Sequence, residues 1–169
     1  GQTQYATAII KIDGKTTTLE EGINSPSIKE SSGIWFKTDE NRVMTGRHHS
    51  GDENGQTYYT SAKVTINYSS TEPAPEGTII VPNVRTESAN MKESGSSFMC
   101  PSGTIMTGRA HTGDENGNTQ YEYSTLKAIN SKGEVIIGSI TIEDIEWDTE
   151  FNESSGMGYD APINRIVVG

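Results

Sequence analysis

The stretch MTGRHHSGDENGQT at positions 44–57 recurs almost unchanged as MTGRAHTGDENGNT at positions 106–119. Eleven of the fourteen positions are identical, and little else in the chain repeats so closely. The shared positions include Arg, His, Asp, Glu and Asn, which belong to protein surfaces more often than to cores. We therefore predict a repeat protein that carries one polar site in each repeat.

A third and weaker copy is visible in the flanks of these stretches. The motif ESSG or ESGS occurs in each copy, at positions 30–33, 93–96 and 153–156. The sequence NRVMTG of the first copy matches NRIVVG at positions 164–169. This third copy continues at the other end of the chain, because TQY at positions 3–5 matches TQY at positions 119–121. We thus expect the N-terminal strand to complete the last repeat.

This arrangement predicts a closed ring. Repeats at about 2–55, 56–117 and 118–169 would form three pseudo-symmetric antiparallel β units. Pairing of the N- and C-terminal strands would leave no sheet edge free. The predicted fold class is an all-β single domain that is β-prism-like or β-trefoil-like. The split repeat lacks the polar segment, so we expect three structural repeats but two intact polar loops.

Composition also favours an all-β chain. Apolar residues make up only 31% of the 169 residues, and no window sustains a helical period. Many short strands with small cores between them fit this composition, and the length fits one domain. The single cysteine, Cys100, has apolar neighbours and is expected to be buried.

The charge balance narrows the classes of partner. The formal net charge of −10 disfavours nucleic acid, because nucleic-acid binders need a basic face to displace counterions. Anionic membranes are disfavoured for the same reason, and no apolar run approaches the roughly 20 residues that span a bilayer. A start of Gly-Gln-Thr without Met is typical of a processed chain. A secreted, cell-surface or periplasmic location is therefore expected.

The polar segment is predicted to be the tip of a β-hairpin. Asn-Gly at positions 54–55 and 116–117 favours a type I′ turn, which needs a positive φ at both central residues. On the strand before the turn, Arg47 and His49 point to one face, as does the matching pair of the second copy. Gly51 permits a bulge that would turn the acidic side chains toward that face.

Such a set of side chains suits a carbohydrate. A guanidinium, an imidazole, two carboxylates and an amide together donate and accept hydrogen bonds, as sugar hydroxyls do. A nearby tyrosine offers its ring face to the C–H side of a sugar, and two equivalent sites suit avid binding of multivalent glycans. The predicted carbohydrate-binding residues are Arg47, His49, Asp52, Glu53, Asn54 and Tyr58 in the first copy, and Arg109, His111, Asp114, Glu115, Asn116 and Tyr121 in the second.

Three alternatives compete with this interpretation. The segment at positions 50–58 resembles the Asp-box hairpin of sialidases and other β-propellers, Ser-x-Asp-x-Gly-x-Thr-Trp with one residue inserted, which implies that Asp52 and Asp114 only hold a turn in a structural or adhesive module. The Asp, Glu and Asn oxygens of the loop would suit Ca²⁺, although the EF-hand ligand spacing is absent. Catalysis is disfavoured because Asp52 and Glu53 are adjacent, whereas glycosidase carboxylates flank a substrate at roughly 5–10 Å. We expect no enzyme activity and no obligatory cofactor.

A family resemblance agrees with the glycan hypothesis. The middle copy contains Phe98-x-Cys100-Pro101-x-Gly103-x-Ile105, followed by Arg109-x-His111, Asp114-Glu115 and Tyr121. This pattern resembles the repeat of dermatopontin-like proteins, a family with three repeats that includes extracellular-matrix proteins and invertebrate lectins. The paired cysteines, the Asp-Arg step and the Trp of that repeat are absent here, so no site residue is carried over. The resemblance implies an extracellular glycan-binding role, and closure by terminal strands is similar to the jacalin-type β-prism in fold alone.

Overall fold

The two copies of the polar stretch form the tips of two β-hairpins. The computed structural model describes residues 2–52, 54–69, 71–72, 75, 77–114, 116–136, 138–152 and 155–169. In this part of the chain the regular elements are strands, which confirms the all-β prediction. In chain order they are β1 (Gln2–Thr3), β2 (Ala6–Ile12), β3 (Lys15–Asn24), β4 (Ile28–Lys29), β5 (Phe36–Lys37), β6 (Val43–Ser50), β7 (Gln56–Ile66), β8 (Ile79–Glu87), β9 (Met91–Lys92), β10 (Ile105–Thr112), β11 (Asn118–Ile129), β12 (Val135–Ile136), β13 (Ile140–Trp147), β14 (Phe151–Asn152), β15 (Tyr159–Asp160) and β16 (Ile166–Val167).

The hairpin tips close differently from the type I′ prediction. Gly51 and Gly113 have positive φ, 95° and 90°, whereas Gly55 and Gly117 do not. A β-carbon on Gly55 would collide with the carbonyl oxygen of Ser50. Glycine is therefore needed there for the close approach of two backbone segments and not for its φ. The type I′ prediction is wrong because the loop is longer than two residues, and longer loops use other turns.

The strands β2, β7 and β11 each have several partners, which for β2 include the beginning of β3, and every pairing among the described residues is antiparallel. β7 lies between β6 and β3, β11 lies between β10 and β8, and β2 pairs with β16 and β13. Short strands add to this framework: β4 and β9 pair with the beginnings of β7 and β11, and β1 pairs with β14. β5 joins β10 and β15 joins β6. The result is one domain with several antiparallel sheets.

The first and last described segments lie side by side. β16 pairs with β2, and the Ala6 N–H donates to the Gly169 carbonyl at 2.8 Å. β2 therefore lies beside β16 as β7 lies beside β6 in the first hairpin. This agrees with the predicted pairing of the terminal strands.

Among the described residues, three closely stacked aromatic pairs line the apolar core. Their ring centroids are 4.3 Å apart in Phe36–Tyr59, 4.4 Å apart in Phe98–Tyr121 and 4.4 Å apart in Tyr5–Tyr159. The core itself consists of aliphatic and methionine side chains from the paired strands, namely Ile10, Ile12, Val43, Met44, Val64, Ile66, Ile105, Met106, Ile166 and Val167. In each pair, a tyrosine at or near the N-terminal end of β2, β7 or β11 stacks on a ring from a neighbouring segment.

Cys100 is buried against this core, as predicted. Burial raises the pKa of its thiol to about 12, so the thiolate that would act as a nucleophile is scarce at neutral pH. The described residues contain no helix that is long and apolar enough to cross a bilayer.

Candidate functional site

The two repeated arginines meet at one buried carboxylate. The side chains of Arg47 and Arg109 are buried, and so is Glu30 between them. Arg47 Nη2 donates to Glu30 Oε1 at 2.8 Å, and Arg109 Nη1 donates to the same oxygen. The Thr57 hydroxyl donates to the other carboxylate oxygen. Glu30 therefore ties the two hairpins together.

Further contacts extend this cluster toward two tyrosines and a second carboxylate. Arg47 Nη1 lies 3.2 Å from the hydroxyl oxygen of Tyr5, and Arg109 Nη1 lies 3.4 Å from that of Tyr59. Arg109 Nη2 donates to Glu93 Oε1 at 3.0 Å. Arg109 thus bridges two carboxylates, one buried and one partly exposed.

Electrostatics keep the cluster ionised. Burial by itself would raise the pKa of Glu30, but the guanidiniums of Arg109 and Arg47 and the Thr57 hydroxyl outweigh burial and hold that pKa well below its usual value. Burial and the like charge on Arg47 lower the pKa of Arg109, but the combined attraction of Glu30, Tyr59 and Tyr121 outweighs both and raises it. Two buried cations and their shared anion form a structural ion cluster.

The repeated histidines are buried too, and their hydrogen bonds assign opposite tautomers. His49 Nδ1 lies 2.8 Å from Thr57 Oγ1; because that hydroxyl gives its proton to Glu30, His49 Nδ1 must carry the hydrogen. His111 Nε2 lies 3.1 Å from the carbonyl oxygen of Gly113 and must donate to it. In a neutral His111, Nδ1 then accepts from the Thr119 hydroxyl at 2.9 Å. The two hairpins are thus chemically different at matching positions.

The acidic and amide residues of the tips serve their own turns. Asp52 Oδ1 accepts from the backbone N–H of Asn54 at 2.9 Å, and Asp114 Oδ1 accepts from that of Asn116 at 3.0 Å. All four side chains are exposed. In each loop the aspartate carboxylate stabilises the turn by accepting from the backbone two residues later, as the Asp-box resemblance implies. Glu53 and Glu115, also predicted to contact a sugar, lie outside the described residues.

The two predicted tyrosines occupy different surroundings. Tyr58 is half-buried and stacks on His48 with ring centroids 4.6 Å apart. Tyr121 stacks on Phe98 and lines a cavity that also includes Arg47 and Arg109. Of the twelve residues predicted to bind carbohydrate, these last three are therefore brought to one cavity, whereas the tip residues remain at the hairpin ends.

That cavity, which we call the terminal pocket, lies beside the paired terminal segments and has a volume of about 320 Å³. Its aromatic lining consists of Tyr5, Phe98, Tyr121 and Trp147. Its charged lining consists of Arg47, Arg109, Glu93 and Glu150, and neutral polar groups come from Gln4, Ser96 and Ser97. Trp147 is 47% exposed. The terminal pocket combines ring faces with donors and acceptors in one concave site.

A second cavity of about 300 Å³ contains the other tryptophan, Trp35, together with Phe36 and Asp39. Lys37 Nζ lies 4.7 Å from the centroid of the Trp35 ring. This ammonium is also paired with Glu87 and Glu122. The face of Trp35 on that side is therefore occupied by a side chain of the protein itself.

One group of side chains resembles a metal site in spacing alone. Oxygen or nitrogen atoms of Glu30, Glu93 and His111 lie within 4.8 Å of one another. The guanidiniums of Arg47 and Arg109 already donate to these carboxylates. A metal ion held by all three groups would displace these donors and lie beside both guanidiniums, so the donor set does not fit a metal ion.

Sequence reasoning missed the acidic partners of the repeated arginines. Glu30 and Glu93 begin the ESSG and ESGS motifs, which served only to align the copies. A signal was present, because an acid that repeats in step with a buried arginine is a candidate ion-pair partner. What the sequence did not reveal is that Arg109 reaches the acid of the other copy as well as its own.

No protein-family model, no curated protein and no solved structure matches the chain. The resemblance to dermatopontin-like repeats therefore remains a hypothesis based on the residues alone.

Proposed function

We propose that the protein binds carbohydrate in the terminal pocket. The observation that carries this proposal is the composition of the pocket, in which the rings of Tyr121, Phe98 and Trp147 lie around the same cavity as Arg109 and Glu93. Ring faces pack against the C–H side of a sugar, and the charged groups donate to and accept from its hydroxyls. Its volume is at the lower end of the range of small-molecule sites.

The proposal keeps the predicted class of ligand but favours one pocket over two hairpin tips. Arg47, Arg109 and Tyr121 belong to both versions of the site. The tip residues, such as Asp52 and Asn116, are not needed for it, because their described hydrogen bonds are local to their turns. The expected secreted, cell-surface or periplasmic location belongs to the same proposal, since glycans are abundant ligands outside the cell.

We further infer a pseudo-threefold arrangement of three repeats, at about 2–55, 56–117 and 118–169, of the β-prism or β-trefoil kind. Support comes from the three stacked aromatic pairs and from the strands β2, β7 and β11, which pair with the outer strands β13, β3 and β8 respectively. Each outer pairing also contains a register shift near its middle. The terminal pocket would then lie beside the split repeat.

Fluorescence titration provides the test, because the chain has only two tryptophans. In a Trp35→Phe background the emission comes from Trp147, which is 47% exposed at the pocket. A glycan array selects the sugars, and these should then shift the emission of Trp147 in a saturable way. Measured by calorimetry, which does not need the reporter ring, Trp147→Ala should weaken binding about 5- to 150-fold, as expected for loss of about 1–3 kcal/mol of ring contact.

Trp35→Ala is the matched control, since it removes the same ring from the other cavity. It should leave sugar affinity unchanged. An array with no binding, together with an emission spectrum that does not respond to millimolar sugars, contradicts the proposal. Equal losses of affinity in the two tryptophan variants contradict the choice of pocket.

A structural or adhesive module without a sugar site is the second candidate. The buried cluster of Arg47, Arg109 and Glu30 favours it, because this cluster accounts for the repeated arginines without any ligand. The two candidates differ in how binding responds to Trp147→Ala. A purely adhesive module would lose no partner binding in that variant.

A further inference from the structure

We infer that the carbohydrate of the terminal pocket carries a free amino group, and that Glu93 accepts a hydrogen bond from its ammonium. The inference rests on the proposed sugar-binding function and names the class of sugar. It follows from a comparison of Glu93 with Glu30, two carboxylates at matching positions that are neutralised to different extents.

The two glutamates occupy the same backbone position relative to their hairpins. The Glu30 N–H donates to the carbonyl oxygen of Gly55 at 3.1 Å, and the Glu93 N–H donates to that of Gly117 at 3.2 Å. Each glutamate is also paired with the arginine of its own hairpin, Arg47 and Arg109 respectively. Differences in their surroundings therefore reflect side chains and not backbone placement.

Glu30 is fully neutralised by the protein. One of its oxygens accepts from both Arg47 and Arg109, and the other accepts from the Thr57 hydroxyl. The side chain of Glu30 is only 5% exposed. No part of this carboxylate remains for a ligand.

Glu93 has fewer partners among the described residues. Its Oε1 accepts from Arg109, but the hydroxyl of Thr119 is used by His111 and not by Glu93. His111 Nε2 lies 3.5 Å from Glu93 Oε2, although its hydrogen goes to the Gly113 carbonyl. The Glu93 side chain is 34% exposed and lines the terminal pocket. The partly exposed carboxylate of Glu93 thus lines the cavity without the set of donors that serves Glu30.

A ligand with a positively charged donor would give the Glu93 carboxylate a further hydrogen bond. Trp147 lines the same pocket, is 47% exposed and offers a ring face that attracts a cation. Three carboxylates, those of Glu30, Glu93 and Glu150, outnumber the two guanidiniums of Arg47 and Arg109 in and beside the pocket, which leaves one negative charge in excess. An ammonium on a sugar ring combines a positive charge with the hydroxyls and C–H faces that the rest of the pocket suits. A hexosamine with an unacetylated amine has this chemistry.

The test compares glucosamine, N-acetylglucosamine and glucose by isothermal titration calorimetry. Wild-type protein should bind glucosamine about tenfold more tightly than either neutral sugar, in line with a charge-assisted hydrogen bond. Glu93→Gln should bring the three affinities to within about twofold. Glu40→Gln, a change of the same kind at an exposed position outside the pocket, should keep the preference. Raising the pH above the pKa of the amine should abolish it in the wild type.

The outcomes separate this inference from the proposed function. No binding of any sugar overturns both. Equal binding of the three sugars by the wild type, or a preference that survives Glu93→Gln, overturns the inference and leaves sugar binding intact. Methylammonium that binds as tightly as glucosamine overturns the assignment to a sugar. A thermal melt of Glu93→Gln close to that of the wild type shows that lost preference does not arise from unfolding.

Discussion

Replacing Glu30 by glutamine should strongly destabilise the fold. The substitution keeps the size of the side chain but removes the anion that Arg47 and Arg109 share. Both guanidiniums are buried, so water does not replace the lost partner. Breaking a buried ion pair by removing one member costs about 3–5 kcal/mol. Arg109 retains Glu93, so we expect a loss near the lower end, about 3 kcal/mol.

Urea denaturation followed by tryptophan fluorescence measures this loss. A domain of this kind is stabilised by about 5–15 kcal/mol in total, so a change of about 3 kcal/mol shifts the midpoint clearly. Glu93→Gln is the matched control, because it removes a partner of the same arginine at a carboxylate that is 34% exposed. Its cost should be about 1 kcal/mol or less.

A triple variant isolates the charge from the packing. Glu30→Gln combined with Arg47→Met and Arg109→Met removes the stranded cations and should recover part of the stability lost in Glu30→Gln alone. If Glu30→Gln costs no more than Glu93→Gln, the buried ion cluster does not hold the hairpins together. If the triple variant is no more stable than Glu30→Gln, the loss arises from packing and not from uncompensated charge.

Three further predictions concern pH, the hairpin turns and stoichiometry. The folded-state pKa of Glu30 lies below its usual 4.5. Its contribution to the free energy of unfolding is therefore complete above about pH 4.5 and is lost as pH falls, at up to about 1.4 kcal/mol per pH unit. Between pH 6 and pH 3, the urea midpoint should fall less steeply in Glu30→Gln than in the wild type. Gly55→Ala should lower the free energy of unfolding by more than about 2 kcal/mol, because its β-carbon meets the Ser50 carbonyl. Asp52→Ala should lower it by about 1 kcal/mol, because one side-chain hydrogen bond is lost. Thermal melts measure both changes. Calorimetry should count one sugar per chain, and a count of two would favour the hairpin tips.

The sequence predicts those features of the fold that depend on local patterns or on repetition. Strand content follows from alternation and composition, and the pairing of the terminal strands follows from the match between TQY at positions 3–5 and 119–121. The burial of Cys100 follows from its neighbours. The turn type was not predictable, because Asn-Gly permits a type I′ turn but loop length selects the turn. Here Gly51 carries the positive φ instead.

The candidate site was less predictable for a physical reason. Alternation places Arg47 and His49 on one face of β6, but it does not say whether that face meets solvent or the rest of the protein. An exposed arginine and an arginine buried against Glu30 have the same local pattern. The difference depends on a carboxylate 17 positions away along the chain and, for Arg109, on one 79 positions away. To predict long-range ion pairs of this kind from a sequence, each repeated arginine has to be compared with every acidic residue of the chain.

Trp147 shows why the terminal pocket needs an explanation beyond the fold. It pairs with Ala6 at the register where Asn24 pairs with Thr60 and Glu87 pairs with Glu122. The matching outer strands therefore end in a polar side chain, and the tryptophan is peculiar to β13. A fold that needed an aromatic ring at this register would favour one in each copy, whereas a ring found in one copy and 47% exposed contributes little to the core. Trp147 departs from the repeat, is exposed and lies at a cavity lined by Glu93. These properties are expected of a ligand-binding residue, and the tryptophan variants test this directly.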